Sequence, residues 1–198
     1  MSLRHPIISV TGSSGAGTST VKHTFDQIFR REGIKAVSIE GDAFHRYDRA
    51  EMKSELARRT AEGDYTFSHF SYEANELVEL ERVFREYGET GKGRTRHYVH
   101  DDKEAERFQA PPGTFTDWSP FEDGSDLLFY EGLHGAVSNN EVNIARFSDL
   151  KVGVVPVINL EWIQKIHRDR AHRGYSTEAV TDVILRRMHA YVHCICPQ

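Results

Sequence analysis

Apolar positions along the chain fall into short blocks that switch between strand-like and helix-like spacing. Ile7–Val10 is a compact apolar run of strand length, and Val21, Phe25, Ile28 and Phe29 recur at helical spacing over 21–31 before Gly33 stops the pattern. Ala36–Glu40 returns to strand length. Strand, small-residue turn, helix and strand in this order predict the opening of a βαβ unit, with the second strand parallel to the first or near it. A short helix is expected around 51–60. A second helix over 75–87 has Leu77, Leu80, Val83 and Phe84 on one stripe. The next clear strand is Asp126–Glu131, Asp-Leu-Leu-Phe-Tyr-Glu. Leu150–Ile158 is another apolar run, and 159–169 has helical character. Gly174 and Tyr175 form a break. Ser176 or Thr177 then caps a last helix reaching about Val192, with Val180, Val183, Ile184, Met188 and Tyr191 toward the core.

Between these elements, 88–120 carries glycines, prolines and mixed charge and reads as an insertion or flap. Within it, 95–99 and 106–109 are expected as short strands and 100–103 as a turn. With 198 residues, one sizeable α/β domain over 1–198 is expected, able to bury a core without disulfides or structural metal. Repeats and low-complexity tracts are absent from the sequence.

Charge and composition narrow the class. A net charge of −5 gives no general attraction to nucleic acid or anionic membrane. Only Cys194 and Cys196 are present, which is too few for a secreted-type disulfide framework. They read as two small apolar residues in a strand-like C-terminal run. Met1–Pro6 lacks the basic-then-apolar pattern of a signal peptide, and no stretch approaches a membrane span. A cytoplasmic protein with no nucleic-acid or membrane partner is expected.

The chemistry begins at Gly12-Ser13-Ser14-Gly15-Ala16-Gly17-Thr18-Ser19-Thr20, between the first strand and the first helix. Glycines there let backbone amides converge, and the helix N-terminus adds unpaired N–H groups, a cradle for a di- or triphosphate. Ser19 stands where a P-loop hydroxyl holds Mg²⁺, whereas Thr18 stands where the motif has lysine. Another cation must therefore serve the β- and γ-phosphates.

Two strands end in acid and glycine, Glu40-Gly41-Asp42 and Glu131-Gly132. In a parallel sheet these ends border the ligand crevice. Asp42 suits a base that orients and deprotonates an attacking hydroxyl, and Glu131 suits a place beside Mg²⁺. The bland reading of each, taken alone, is a solvated or helix-capping carboxylate, and the neighbouring phosphate turn weighs against it. His45, Arg46 and Arg49 follow closely and suit an anionic acceptor. A second basic cluster holds Lys165, His167, Arg168, Asp169, Arg170, His172 and Arg173, of which 165, 168, 169, 172 and 173 share one helical face. A solvated basic helix is the bland reading there. An RNA-facing patch is disfavoured because interleaved aromatics are missing. Arg186 and Arg187 add a third pair, either plain surface or a contact to a subunit or effector. Tyr98 and His100 are substrate-contact candidates in the insertion, with a solvated loop as the equal alternative.

The 12–20 turn, Ser-Ile-Glu-Gly-Asp-Ala-Phe-His-Arg-Tyr-Asp-Arg at 38–49, Tyr-Glu-Gly-Leu-His-Gly at 130–135, Asn-Leu-Glu-Trp-Ile-Gln-Lys-Ile-His-Arg-Asp at 159–169 and Arg-Gly-Tyr-Ser at 173–176 together resemble the bacterial-type phosphoribulokinases. The resemblance implies a P-loop kinase of nucleoside-monophosphate-kinase-like fold, a mostly parallel sheet flanked by helices. It implies ATP and Mg²⁺, ribulose 5-phosphate as acceptor, NADH as an allosteric activator and a homo-oligomer. It also implies a longer chain, so a missing C-terminal part is expected. By the same resemblance Asp42 is the catalytic base and Ser19 and Glu131 attend Mg-ATP. His45, Arg49, Lys165, Arg168, Asp169 and Arg173 serve substrate binding or transition-state stabilisation. The bacterial family resembles this chain in carrying Thr at position 18 as well, which makes Lys165 a natural stand-in for the missing lysine. A uridine-kinase-like or pantothenate-kinase-like enzyme shares the turn and acidic strand ends but has no need of the second cationic cluster. An ATP-binding sensor has no need of a base.

Overall fold

The computed structural model of the chain describes residues 5–198, except the side chains of 172 and 173. Four strands, β1 (Ile7–Thr11), β2 (Ala36–Glu40), β5 (Leu127–Gly132) and β6 (Leu150–Gly153), make a parallel sheet in the order β2-β5-β1-β6. The β2 strand therefore lies one strand away from β1, with β5 between them. Local patterning fixes that β2 is a strand, but its neighbour is chosen only when the later β5 arrives.

Alternation along the strands makes three layers. Ile8, Val10, Leu127 and Phe129 face helix α1 (Thr18–Glu32), where Phe25 and Phe29 pack on Phe129. Ile7, Leu128 and Tyr130 face helix α3 (Leu77–Thr90), which turns Leu77, Leu80, Val83, Phe84 and Tyr87 inward. Each fully buried aromatic or aliphatic side chain of this kind contributes roughly 1.5–3 kcal/mol. Gly33, with φ 69°, closes α1 in the left-handed conformation as its sequence position suggests.

After β2 the chain makes a 3-10 turn, Gly41–Phe44, and enters helix α2 (Arg49–Ala61), which Asp48 and Glu51 start with a reciprocal capping box. Within 88–120, expected as an insertion, a two-stranded antiparallel pair forms from β3 (Arg94–Thr95) and β4 (Ser119–Pro120). Between them 106–109 is not a strand. It belongs to helix α4 (Asp102–Phe108), which Asp101 caps by accepting from the Glu104 amide, and the expected turn over 100–103 is partly its first turn. The helix-favouring run Lys-Glu-Ala-Glu-Arg outweighed the short apolar signal.

Beyond β6, helix α5 (Ile158–Arg173) and helix α6 (Thr177–Ala190) form a hairpin around Gly174, with Ser176 accepting from the Ala179 amide as the α6 cap. Val180 and Ile184 are buried, whereas Val183 faces outward. Cys194 lies in a π-helical turn (Tyr191–Ile195) that prolongs α6, and Cys196 caps its end, in place of the expected strand-like run. Among the described residues no helix is long and apolar enough to cross a membrane.

Candidate active site

The carboxyl ends of β1, β2 and β5 open on one edge of the sheet, and the phosphate-binding turn rises from β1. Gly15 has φ 108° and Gly17 φ 103°, a left-handed region that favours glycine. A side chain on Gly15 would lie 3.0 Å from the Lys165 Cβ and 3.0 Å from the Glu161 carbonyl, so α5 rests directly against the turn. Two side-chain hydrogen bonds fasten that contact. Ser13 donates to Glu161, and Arg168 Nη2 donates to Ser14 Oγ at 3.0 Å.

This docking carries Lys165 to the turn. Its Nζ lies 2.7 Å from Asp169 Oδ2, with both side chains nearly buried, and Arg168 Nε lies 3.0 Å from Asp169 Oδ1. Burial pushes the Lys165 ammonium down to about 8, opposed by Asp169 and assisted by the charges of Arg187 and Arg168. For Asp169, burial raises the carboxyl while its bonds and charges with Lys165 and Arg168 more than offset that, leaving it below the usual range. The side chain of Arg173 lies outside the described residues.

The acidic strand ends sit beside the turn. Glu40 and Glu131 are register partners on β2 and β5. Gly41 and Gly132 follow them back to back, and a Cβ on Gly41 would stand 2.6 Å from the Tyr130 hydroxyl and 2.9 Å from Gly132 Cα. Only glycine at both places lets the two chain ends approach so closely. Ser19 Oγ lies 3.5 Å from Glu131 Oε1. Burial raises the Glu131 carboxyl, a Thr18 hydrogen bond lowers it, and Asp42 and Glu40 raise it further. Among the described residues no three His, Cys, Asp or Glu side chains form a metal cage. A hydroxyl and one carboxylate, crowded by like charge, nevertheless fit Mg²⁺, which keeps waters and takes phosphate oxygens as its remaining ligands.

Asp42 lies on the 3-10 turn just past β2 with its side chain 41% exposed. Its Oδ1 is 3.1 Å from His45 Nε2 and its Oδ2 is 3.5 Å from His100 Nε2. The enclosing walls raise its pKa, but the charge and hydrogen bond of His45, with His100, more than offset that and carry it well below the usual carboxylate range. His100 comes from the inserted segment, as does Tyr98, whose ring packs edge-on against His45 and His100. Arg49 at the start of α2 donates through Nη2 to the His100 carbonyl at 2.8 Å and holds this segment over the site.

The structure thus brings together the 12–20 turn, Glu131, Asp42, His45, Arg49, Tyr98, His100, Lys165, Arg168 and Asp169. Sequence reasoning missed several of their neighbours. Arg96 donates to the Ala43 and His45 carbonyls at 2.8 Å each and stacks over Phe115. His69, Asn75 and His134 surround His45, and Glu161 anchors Ser13. His134 and Glu161 fall within the segments 130–135 and 159–169 quoted above, but no spacing ties any of these residues to its partner, and the fold is what pairs them. Arg187 and Arg186 diverge: Arg187 lies over Phe70 at 5.2 Å beside Lys165, while Arg186 is exposed near Asp182.

Residues 7–198 match the Phosphoribulokinase / Uridine kinase family. The chain is 82% identical over 198 residues to phosphoribulokinase 1 of Cereibacter sphaeroides, covering 100% of this chain and 68% of that protein. It is 68% identical over 195 residues to the phosphoribulokinase of Nitrobacter vulgaris, covering 98% of this chain and 67% of that one. The structure of phosphoribulokinase from Rhodobacter spheroides superposes with a TM-score of 0.84 at 77% identity, over 98% of this chain and 66% of that chain. The chain therefore spans about two thirds of the length of these relatives. A parallel sheet with a phosphate turn at its carboxyl edge, a lysine delivered from α5 and sequence identity of this extent lead to one conclusion: the chain belongs to the phosphoribulokinase/uridine kinase family of ATP-dependent kinases, in its bacterial phosphoribulokinase branch.

Proposed function

We propose that this site transfers the γ-phosphoryl group of ATP to the 1-hydroxyl of D-ribulose 5-phosphate, giving D-ribulose 1,5-bisphosphate and ADP, the step that supplies the acceptor for carbon dioxide fixation in the Calvin cycle. The observation that carries the reading is Asp42 held ionised between His45 at 3.1 Å and His100 at 3.5 Å, beside the phosphate turn. A carboxylate kept ionised can orient a sugar hydroxyl and take its proton late, as a loose phosphoryl-transfer transition state requires.

The amides of 12–20 cradle the nucleotide phosphates, and Ser19 and Glu131 hold Mg²⁺, which when bound neutralises phosphate charge. Lys165 supplies the cation that Thr18 cannot, with Asp169 fixing both Lys165 and Arg168. His45, Arg49, Tyr98, His100, Arg168 and Arg173 form the side toward the sugar phosphate, and 88–120 acts as a flap within the single domain. Homo-oligomer formation, activation by NADH and a cytoplasmic location complete the reading; the first two rest on the family resemblance alone, and the third is the expectation from the sequence.

The test is product formation from Mg-ATP with ribulose 5-phosphate beside ribose 5-phosphate and uridine. Bisphosphate formation from ribulose 5-phosphate alone is expected. Preferred turnover of uridine would replace the reading with a nucleoside kinase.

A further inference from the structure

His45 is gripped on both edges of its ring. Nε2 faces Asp42 Oδ1 at 3.1 Å, and Nδ1 faces the side-chain oxygen of Asn75 at 2.8 Å. Which end of the Asn75 amide is oxygen follows from its other contacts. The amide nitrogen reaches the Ser71 carbonyl at 2.8 Å and the His69 carbonyl at 3.0 Å, and a flipped amide would aim an acceptor at both. It also lies 3.1 Å from His134 Nε2. Burial pushes the His134 ring down to about 3, so that ring is neutral and can meet the amide as an acceptor.

The main chain holds Asn75 in place. Asn75 forms a β-bridge with His45, the Glu76 amide donates to the Phe44 carbonyl at 2.7 Å and the Arg46 amide to the Ala74 carbonyl at 2.9 Å. Asn75 is itself buried.

The chemistry of this grip is restrictive. The Asn75 oxygen has no proton to give, so the hydrogen in that bond sits on His45 Nδ1. Nε2 can then meet the Asp42 carboxylate in two ways, as a second N–H donor or as a lone pair against an anion, and only the first is attractive. Neutral His45 with its single proton on Nε2 would satisfy Asp42 but would set a bare Nδ1 against the Asn75 oxygen.

We propose that Asn75 is a positioning residue for phosphoryl transfer: it holds His45 as a two-donor imidazolium against Asp42 and removes the neutral tautomer that could otherwise take its place. The proposal rests on Asp42 being the base, and it explains how a cation stays beside that base at neutral pH. The other groups facing His45 are consistent with it. The His69 ring, 5.5 Å away centroid to centroid, is pushed down to about 3 by burial and adds no charge. Tyr98 packs edge-on at 6.2 Å, His100 shares Asp42, His134 lies behind Asn75, and Arg96 holds the His45 carbonyl. Burial and the Arg187 charge lower the His45 pKa, Asp42 and the Asn75 bond raise it, and the net direction is up.

The direct test is long-range proton–nitrogen correlation of the histidine rings in the parent protein. Both His45 ring nitrogens are expected to carry protons at about pH 7, with deprotonation only above the ordinary histidine range. Asn75→Leu deletes the acceptor, and the His45 pKa should fall by about one unit, with the alkaline limb of kcat/KM for ribulose 5-phosphate moving down in parallel. Asn75→Asp keeps an oxygen at that place and should hold or raise it. General loosening of the fold would move both variants the same way. A bare Nδ1 in the parent, an unshifted leucine variant, or an aspartate variant that falls as far as the leucine one overturns the proposal. Two protonated nitrogens together with full kcat in Asp42→Asn would uphold the grip on His45 and sink the base assignment instead.

Discussion

Replacing Lys165 by methionine separates a catalytic cation from a structural lysine. The side chain keeps its length and loses its charge, and the site it leaves is only 6% exposed, so water does not simply take its place. A unit charge about 4 Å from the transferring group contributes roughly 4 kcal/mol at an effective dielectric of about 20. Asp169, 2.7 Å away, cancels part of that field. A net loss of about 3 kcal/mol remains, on the order of 10²–10³-fold in kcat. A coupled assay of ADP release at saturating substrates should show this drop with both KM values changed only a few-fold, because the interaction tightens as charge moves in the transition state. The pH dependence gives a second reading. Burial, against the pull of Asp169, sets the Lys165 ammonium at about 8. Its charged form predominates below that pH, so kcat/KM should decline as pH rises through it. Bound phosphate should carry the kcat limb higher, and Lys165→Arg should remove the Lys165 contribution because guanidinium stays charged, leaving the limb that His45 sets. Full kcat in the methionine variant with only a raised KM would make Lys165 an ordinary binding contact and refute the reasoning.

Asp42→Asn should lower kcat by roughly 10²–10⁴-fold while nucleotide affinity stays near the parent value. A kcat within about threefold of the parent would remove Asp42 from the role, and a comparable loss in Glu131→Gln with Asp42→Asn still active would transfer it to position 131. Gly41→Ala would set a methyl 2.6 Å from the Tyr130 hydroxyl and 2.9 Å from Gly132 Cα. Overpacking of this kind costs about 1–3 kcal/mol and should lower Tm by roughly 3–10 °C in thermal unfolding; an unchanged Tm would mean that the two strand ends separate freely.

What the sequence discloses here is what is local. The 12–20 turn, the αL stop at Gly33 and the acid–glycine ends of β2 and β5 are each set by a few adjacent residues, and spacing alone is enough to mark them. Strand order is different in kind. The β2 strand pairs with β5, whose partner residues lie about ninety positions on, and nothing near Ala36–Glu40 encodes that partner. The same holds for the surroundings of His45. Residues 69, 75 and 134 carry no motif together, and they converge because the segment after α2 folds back to pair at Asn75 while the loop after β5 passes beneath it. The helix over Asp102–Phe108 and the π-turn after α6 were misread for a smaller reason: short apolar runs at the edge of an element do not reveal which period they belong to.

The threonine at position 18 gains its sense from the acidic side of the site. A lysine there would project from the turn toward Glu131, which instead receives a hydrogen bond from Thr18 and sits among Asp42 and Glu40. On the assignment proposed above, Glu131 is thereby left for the divalent cation, and Lys165 on α5 supplies the replacement charge. That separation has a consequence for control of the reaction. A lysine within a P-loop is placed by the loop itself, whereas Lys165 is placed by the docking of α5, through Ser13 on Glu161, Arg168 on Ser14 and the bare face of Gly15. The same helix packs on α6, and Glu161 also bonds to Tyr191 in the turn that follows it. If Lys165 serves the phosphates as proposed, a change in the α5–α6 hairpin that moves this buried ammonium should change kcat while Asp42 stays in place.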